Sequence, residues 1–116
     1  MSNVTFNPKD AYVLINSFIV PAEKEAVMLE FWQKSAEFLK TQDGYIATQL
    51  HKNIDPNGHF KFVNVALWES PEKFQKALQT AHKDMPAGVM DGIQYFNGLF
   101  EVVYSDMPFE FGKRIG

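Results

Sequence analysis

The chain has 116 residues, 46% of them hydrophobic and 15% aromatic, with 11 basic and 14 acidic residues giving a net charge of −3. That is material for one packed domain and not two, and it is too apolar to stay disordered. The basic residues are scattered and the isoelectric point is about 5.5, which argues against a nucleic-acid footprint or an anionic membrane surface; with no cysteine, disulfides, thiolate nucleophiles, iron–sulfur clusters and zinc–thiolate sites are excluded.

Residues 1–10 read as a polar N-terminal arm without an apolar signal region, and no apolar run approaches the ~20 residues of a membrane span, so the expected location is the cytoplasm. Residues 11–19 then read as a first strand that is apolar on both phases. Tyr12, Leu14 and Phe18 fall on one face and Val13, Ile15 and Ile19 on the other, because successive strand side chains alternate. Pro21 suits a first helical position, and residues 22–39 follow as a helix with Val27, Met28, Phe31, Ser35, Phe38 and Leu39 on one stripe. Glu23 and Glu25 near its start and Lys40 at its end match the helix dipole. Asp43 and Gly44 break it, and residues 45–53 form a second strand of mixed polarity.

Asp55, Pro56, Asn57 and Gly58 are a strong turn signal joining that strand, as a hairpin, to a third one at 60–68. In this third strand Phe60, Phe62, Ala66 and Trp68 oppose Val63, Val65 and Leu67. Ser70 is an N-cap and Pro71 a first helical residue, so a second helix starts there, with Phe74, Ala77, Leu78 and Ala81 as its buried stripe. Pro86, Gly88 and Gly92 mark a loop, residues 99–104 a fourth strand, and 107–116 a C-terminal tail. The domain thus spans 11–106.

The order strand–helix–strand–strand–helix–strand is the α+β, ferredoxin-like βαββαβ arrangement: a four-stranded antiparallel sheet with two helices on one face. Two helices cover one face only, while both faces are apolar. A bare face would forgo roughly 1.5–3 kcal/mol for each Val, Ile or Leu left wet, so a second copy packed sheet to sheet is expected, with Phe109 and Phe111 of the tail available to the partner.

The step into the first helix after Ile19-Val20-Pro21, the Asp43-Gly44-Tyr45 step into the second strand, and the run Ala66-Leu67-Trp68-Glu69-Ser70-Pro71-Glu72-Lys73-Phe74 resemble the antibiotic biosynthesis monooxygenase domain family. The resemblance covers residues 11–104. It implies a homodimeric α+β barrel with a ligand cavity between helices and sheet in each protomer. It also implies monooxygenase activity without a cofactor, acting with dioxygen on an electron-rich aromatic or quinol substrate. A haem-degrading branch of the family uses an Asn on the first strand together with a Trp and a His on or after the second helix. Asn16 and His82 match two of these positions; the helical Trp has no counterpart, Ala77 standing nine residues after Trp68, and the segment before His82 is shorter. Haem is therefore the second expectation, and a non-catalytic dimeric binding module the third.

Asn16 and His82 are the expected catalytic residues. Asn16 is a polar group in a strand otherwise suited to full burial; it either orients a substrate oxygen or bonds Asn64 or the backbone, since an unpaired buried amide costs about 1–3 kcal/mol. His82 has an intrinsic pKa suited to deprotonating a phenol, or else is a helix-end histidine favoured by the dipole. Phe18, Phe31, Trp68, Phe74 and Tyr95 are the expected substrate-binding residues, Trp68 doubling as a packing anchor and Tyr95 reaching in from a loop. Trp32 and Phe31 are adjacent on a helix, so one is expected to face the core or cavity and the other to face out. His51 and His59 read as surface residues and Glu69 and Glu72 as helix-start carboxylates; no phosphate loop, nucleophile triad or metal cluster is present in the pattern.

Overall fold

The computed structural model of the chain describes residues 11–82 and 88–106; the expected N-terminal arm, the C-terminal tail with Phe109 and Phe111, and Pro86 lie outside the described residues. Strand β1 (Tyr12–Ile19) leads through a 3-10 turn (Ala22–Lys24) into α1 (Glu25–Leu39), followed by β2 (Tyr45–Lys52), β3 (Phe62–Trp68), α2 (Pro71–His82) and β4 (Gln94–Glu101). The strands make one antiparallel sheet in the order β2-β3-β1-β4. The ferredoxin-like βαββαβ architecture follows.

The junctions show why these residues adopt these elements. The Lys73 N–H donates to Ser70 Oγ at 3.2 Å, capping α2 just before its first residue, Pro71. In the β2–β3 turn the Gly58 N–H donates to the Asp55 carbonyl at 3.0 Å, and the Asp55 carboxylate accepts from the Asn57 N–H at 2.9 Å. Gly44 sits at φ +92°, a left-handed conformation that turns the chain from α1 into β2. Its carbonyl accepts the Glu69 N–H at 2.8 Å, fastening the end of β3 beside the start of β2.

Two expectations are corrected, and one irregularity is new. The fourth strand runs Gln94–Glu101 and not 99–104, because its alternation is carried through Tyr95, Asn97 and Leu99, two of which are not aliphatic; Tyr95 is thus a strand residue and not a loop one. Val27 is 45% exposed: the inward line of α1 runs through Met28, Trp32, Ser35 and Leu39, and a helix of 3.6 residues per turn carries Val27 to its edge. In β2 the ladder slips between Tyr45 and Ala47, a bulge that spends one extra residue, Ile46, and reverses the alternation of the strand. Ile46 is itself buried with Ala11 and Leu67.

The core lies between helices and sheet in two clusters. One gathers Leu14, Ala66, Trp68, Phe74 and Ala77; the other Phe18, Val20, Met28, Phe62 and Ile93. The opposite face of the sheet is apolar and carries no helix among the described residues. Ile15 pairs with Val65, Val13 with Leu67 and Ser17 with Val63, while Phe96 and Phe100 on β4 remain 55% and 51% exposed.

Candidate active site

A cavity of about 610 Å³ opens between the two helices and the sheet, within the range of about 300–1,000 Å³ usual for small-molecule sites. Its floor is one phase of the sheet: Leu14, Asn16 and Phe18 from β1, Asn64, Ala66 and Trp68 from β3. Alternate strand residues share a face, so one register choice delivers all six. The roof comes from Phe31, Trp32 and Ser35 of α1 and from Phe74, Leu78 and Ala81 of α2. Tyr95 stands at the side, half-exposed, with its ring 6.4 Å from that of Phe18. Trp68 is packed edge-on against Phe74 at 5.4 Å and Tyr45 at 5.7 Å, which fixes the deep end of the cavity in aromatic contacts.

Across this apolar floor runs a polar row. Asn16 is opposite Asn64 on β3 and opposite Asn97 on β4, and all three border the cavity together with Thr48 of β2. The Thr48 hydroxyl donates to Asn64 Oδ1 at 2.7 Å. Asn16 Oδ1 is buried and meets no hydrogen-bond partner among the described residues, so Asn64, expected as its neighbour in a bond, is committed to Thr48 instead. A buried amide oxygen without a partner is costly, and in a cavity it marks the place where a ligand donor fits. Tyr45 and Tyr95 are the titratable groups among the described lining residues; none of those residues carries a formal charge at neutral pH.

All five residues expected to bind substrate, Phe18, Phe31, Trp68, Phe74 and Tyr95, border the cavity, as does Asn16. His82 is the last residue of α2; its side chain lies outside the described residues, though its neighbour Ala81 is a wall residue. Phe31 and Trp32 both face the cavity, against the expectation that one would turn outward; a broad cavity under a helix meets a wider arc than a packed ridge does. Thr48, Asn64 and Asn97 were not read from the sequence as site residues. Polar side chains on strands gave the available signal, but it needed the register to become a site. His51 and His59 are exposed as expected, Glu69 is held by Lys73 at 2.9 Å, and among the described residues no three His, Asp or Glu side chains are grouped to hold a metal.

Residues 11–84 match the family model described as antibiotic biosynthesis monooxygenase. The chain belongs to the antibiotic biosynthesis monooxygenase family. A protein of Shewanella loihica PV-4, with a proposed monooxygenase activity, is 33% identical; the match covers 82% of this chain and 96% of that one, with a TM-score of 0.71. SnoaB of Streptomyces nogalater, a cofactor-independent oxygenase, shares the fold at 24% identity, with a TM-score of 0.58 over 83% of this chain and 96% of its own. A point mutant of MhuD with two manganese protoporphyrin IX bound per active site is 25% identical, with a TM-score of 0.61 over 81% of this chain and 96% of its own. Among curated proteins none matches the chain. No helix among the described residues is long and apolar enough to cross a membrane.

Proposed function

We propose that this member of the family is a cofactor-independent monooxygenase that oxidises an electron-rich aromatic or quinol with dioxygen, working as a cytoplasmic homodimer. The observation that carries this reading is the cavity itself: about 610 Å³ of largely apolar, aromatic-walled space with an unpaired amide oxygen, that of Asn16, on its floor. A quinol that loses a proton is electron-rich enough to reduce dioxygen directly. One oxygen atom enters the ring and the other leaves as water, and the substrate supplies every electron as it becomes a hydroxyquinone. The protein then has to exclude water, hold the ring, and accept and stabilise the proton and charge that move. The aromatic walls hold the ring, Asn16 accepts a hydrogen bond from its hydroxyl, and His82, next to the wall residue Ala81, is the proposed base. The likeness to SnoaB supports the absence of a cofactor from this chemistry.

A homodimer is supported by the bare face of the sheet. Val13, Ile15, Val63, Val65, Phe96 and Phe100 form one apolar surface across β3, β1 and β4, and burying each side chain is worth roughly 1.5–3 kcal/mol.

Oxygen uptake by the purified protein, screened over quinols and dihydroxyaromatics, tests the reading. Uptake should fall on the order of 100-fold in His82→Ala and clearly in Asn16→Asp, which puts a carboxylate where the ring's developing charge sits. Uptake equal in both variants and wild type removes these residues from the mechanism, and no uptake with any member of the panel overturns the oxygenase reading.

Haem is the second reading, favoured by the likeness to MhuD. Among the described lining residues there is no imidazole for iron and no cation for the propionates, so the fit depends on His82. A Soret band that appears on haem addition and is lost in His82→Ala would establish it.

A further inference from the structure

The helix-free face of the sheet holds one group whose charge depends on pH. The middle row of that face is Gln49, Val65, Ile15 and Gly98, across β2, β3, β1 and β4. The next row toward the β2–β3 turn is His51, Val63, Ser17 and Phe96. Both rows have the parity opposite to that of the cavity floor. His51 is exposed there, and its ring is held, with Nδ1 3.2 Å from the carbonyl of Val63 directly across the ladder. A carbonyl only accepts, so this contact requires the hydrogen on Nδ1. Nε2 is then the nitrogen that takes up or releases a proton, and an imidazole changes charge between about pH 5 and 8.

We infer that His51 makes the pairing of two copies through this face depend on pH: a covering sheet tolerates the neutral imidazole and is expelled by the protonated one. The inference rests on the homodimer proposed above and names what regulates it. A second copy is the occupant that fits, because neither row carries a fixed charge. A two-fold contact sets the face against itself, and at neutral pH it meets no like-charge clash. The same symmetry doubles the effect of His51, since each protomer brings one. Once charged, the ring has no counter-ion at hand. Val63 stands opposite it, Val65 and Lys61 are its diagonal neighbours on β3, and Gln49 and Asn53 flank it on its own strand. Lys61 adds a further cation, since a lysine is charged throughout this range. Covering the face would therefore bury an unpaired positive charge from each protomer, which is costly. The sign follows from proton binding: two free protomers hold more protons than the pair does. Association is complete on the alkaline side and is lost as the pH falls through the range in which His51 charges.

Sedimentation equilibrium of the full-length protein between pH 8 and pH 6, above the isoelectric point of about 5.5, reads the dimer Kd at constant ionic strength. Wild type should associate on the order of tenfold more weakly at pH 6 than at pH 8, with uptake of up to about two protons per dissociating dimer. His51→Gln and His51→Phe, neither of which titrates, should both flatten this dependence while remaining dimeric at pH 6. His59→Gln, an exposed position in the turn before β3, should keep the wild-type profile and serves as the matched control. The wild-type profile needs no variant to fold. A wild-type dimer with equal Kd at both ends, or a dependence that survives in both His51 variants, overturns the inference and leaves the homodimer standing. Wild type that is monomeric at pH 8 defeats the homodimer itself, and the inference falls with it.

Discussion

The two faces of the one sheet are built from the same strands and differ in what they ask of their neighbours. On the helix side, Leu14, Phe18, Phe62, Ala66 and Trp68 are buried within the chain itself, and the floor between them holds three asparagines in one register row, with Thr48 reaching Asn64 diagonally from β2. On the other side, Ile15, Val63 and Val65 are half-covered, and Phe96 and Phe100 are about half exposed. Alternation along a strand lets one backbone serve both purposes, since odd and even positions never compete for space. The lesson is a division of labour. On the proposed function, chemical selection sits where the chain closes on itself, and assembly is expected where it does not.

The most direct way to break that division is to place a charge on the bare face. Ile15 and Val65 pair at its centre. Ile15→Lys should convert a dimer into a species of about 13.3 kDa in sedimentation equilibrium at micromolar protein, with a marked drop in Tm, because a buried unpaired ammonium costs several kcal/mol. Wild type that already sediments as a monomer would show that this face is satisfied in some other way, and the assembly half of the comparison would fall.

A smaller effect, of opposite sign for two neighbours, sharpens the helix side. Asn16 Oδ1 is buried with no partner among the described residues, so Asn16→Leu removes an unmet polar group and should leave Tm unchanged or raise it while oxygen uptake is lost, the exchange of stability for activity expected at a built site. Asn64→Leu instead strands the Thr48 hydroxyl that now donates to it and should cost about 1–3 kcal/mol in denaturant unfolding. Two asparagines opposite each other in register should thus move stability in different directions. Equal losses in both would mean that Asn16 holds a structural bond after all.

Much of this was legible in the residues. The alternation in β1 and β3, the Asp55-Pro56-Asn57-Gly58 turn and the Ser70-Pro71 start of α2 gave the element order, because each rests on local backbone chemistry. Asn16 stood out as a polar residue in an apolar strand. What stayed hidden depended on register. Thr48 has the opposite parity to Tyr45, so simple alternation places them on different faces; the bulge at Ile46 puts both on the cavity, and no local signal announces a bulge of this kind. Asn97 is hidden because the aliphatic signal of the fourth strand lies at its far end, and Tyr95 and Asn97 precede that signal. Adjacent helix residues point apart over a filled core, but beneath Phe31 and Trp32 lies a cavity wide enough to meet both.

The smallest effect is expected at the rim, where neither face is involved. Lys73 Nζ lies 2.9 Å from Glu69 Oε1 and 3.4 Å from Asp43 Oδ1, and its stem packs over Gly44, where any side-chain carbon would stand 2.6 Å from Lys73 Cβ. The hydrogen bond from Lys73 to Glu69 raises the pKa of the ammonium above its ordinary value of 10.5; loss of hydration opposes it, and the charges of Asp43 and Glu69 add lesser support. A lysine whose folded pKa is raised contributes stability that is complete at neutral pH and fades as pH climbs through that folded value. Lys73→Met keeps the stem and removes the charge. It should lower Tm only slightly at neutral pH, less than Asn64→Leu does, and the difference should disappear in about 1 M salt, where exposed charges are screened within roughly 3 Å. A loss larger than that of Asn64→Leu would mean that the rim, and not the floor, holds the helices over the cavity.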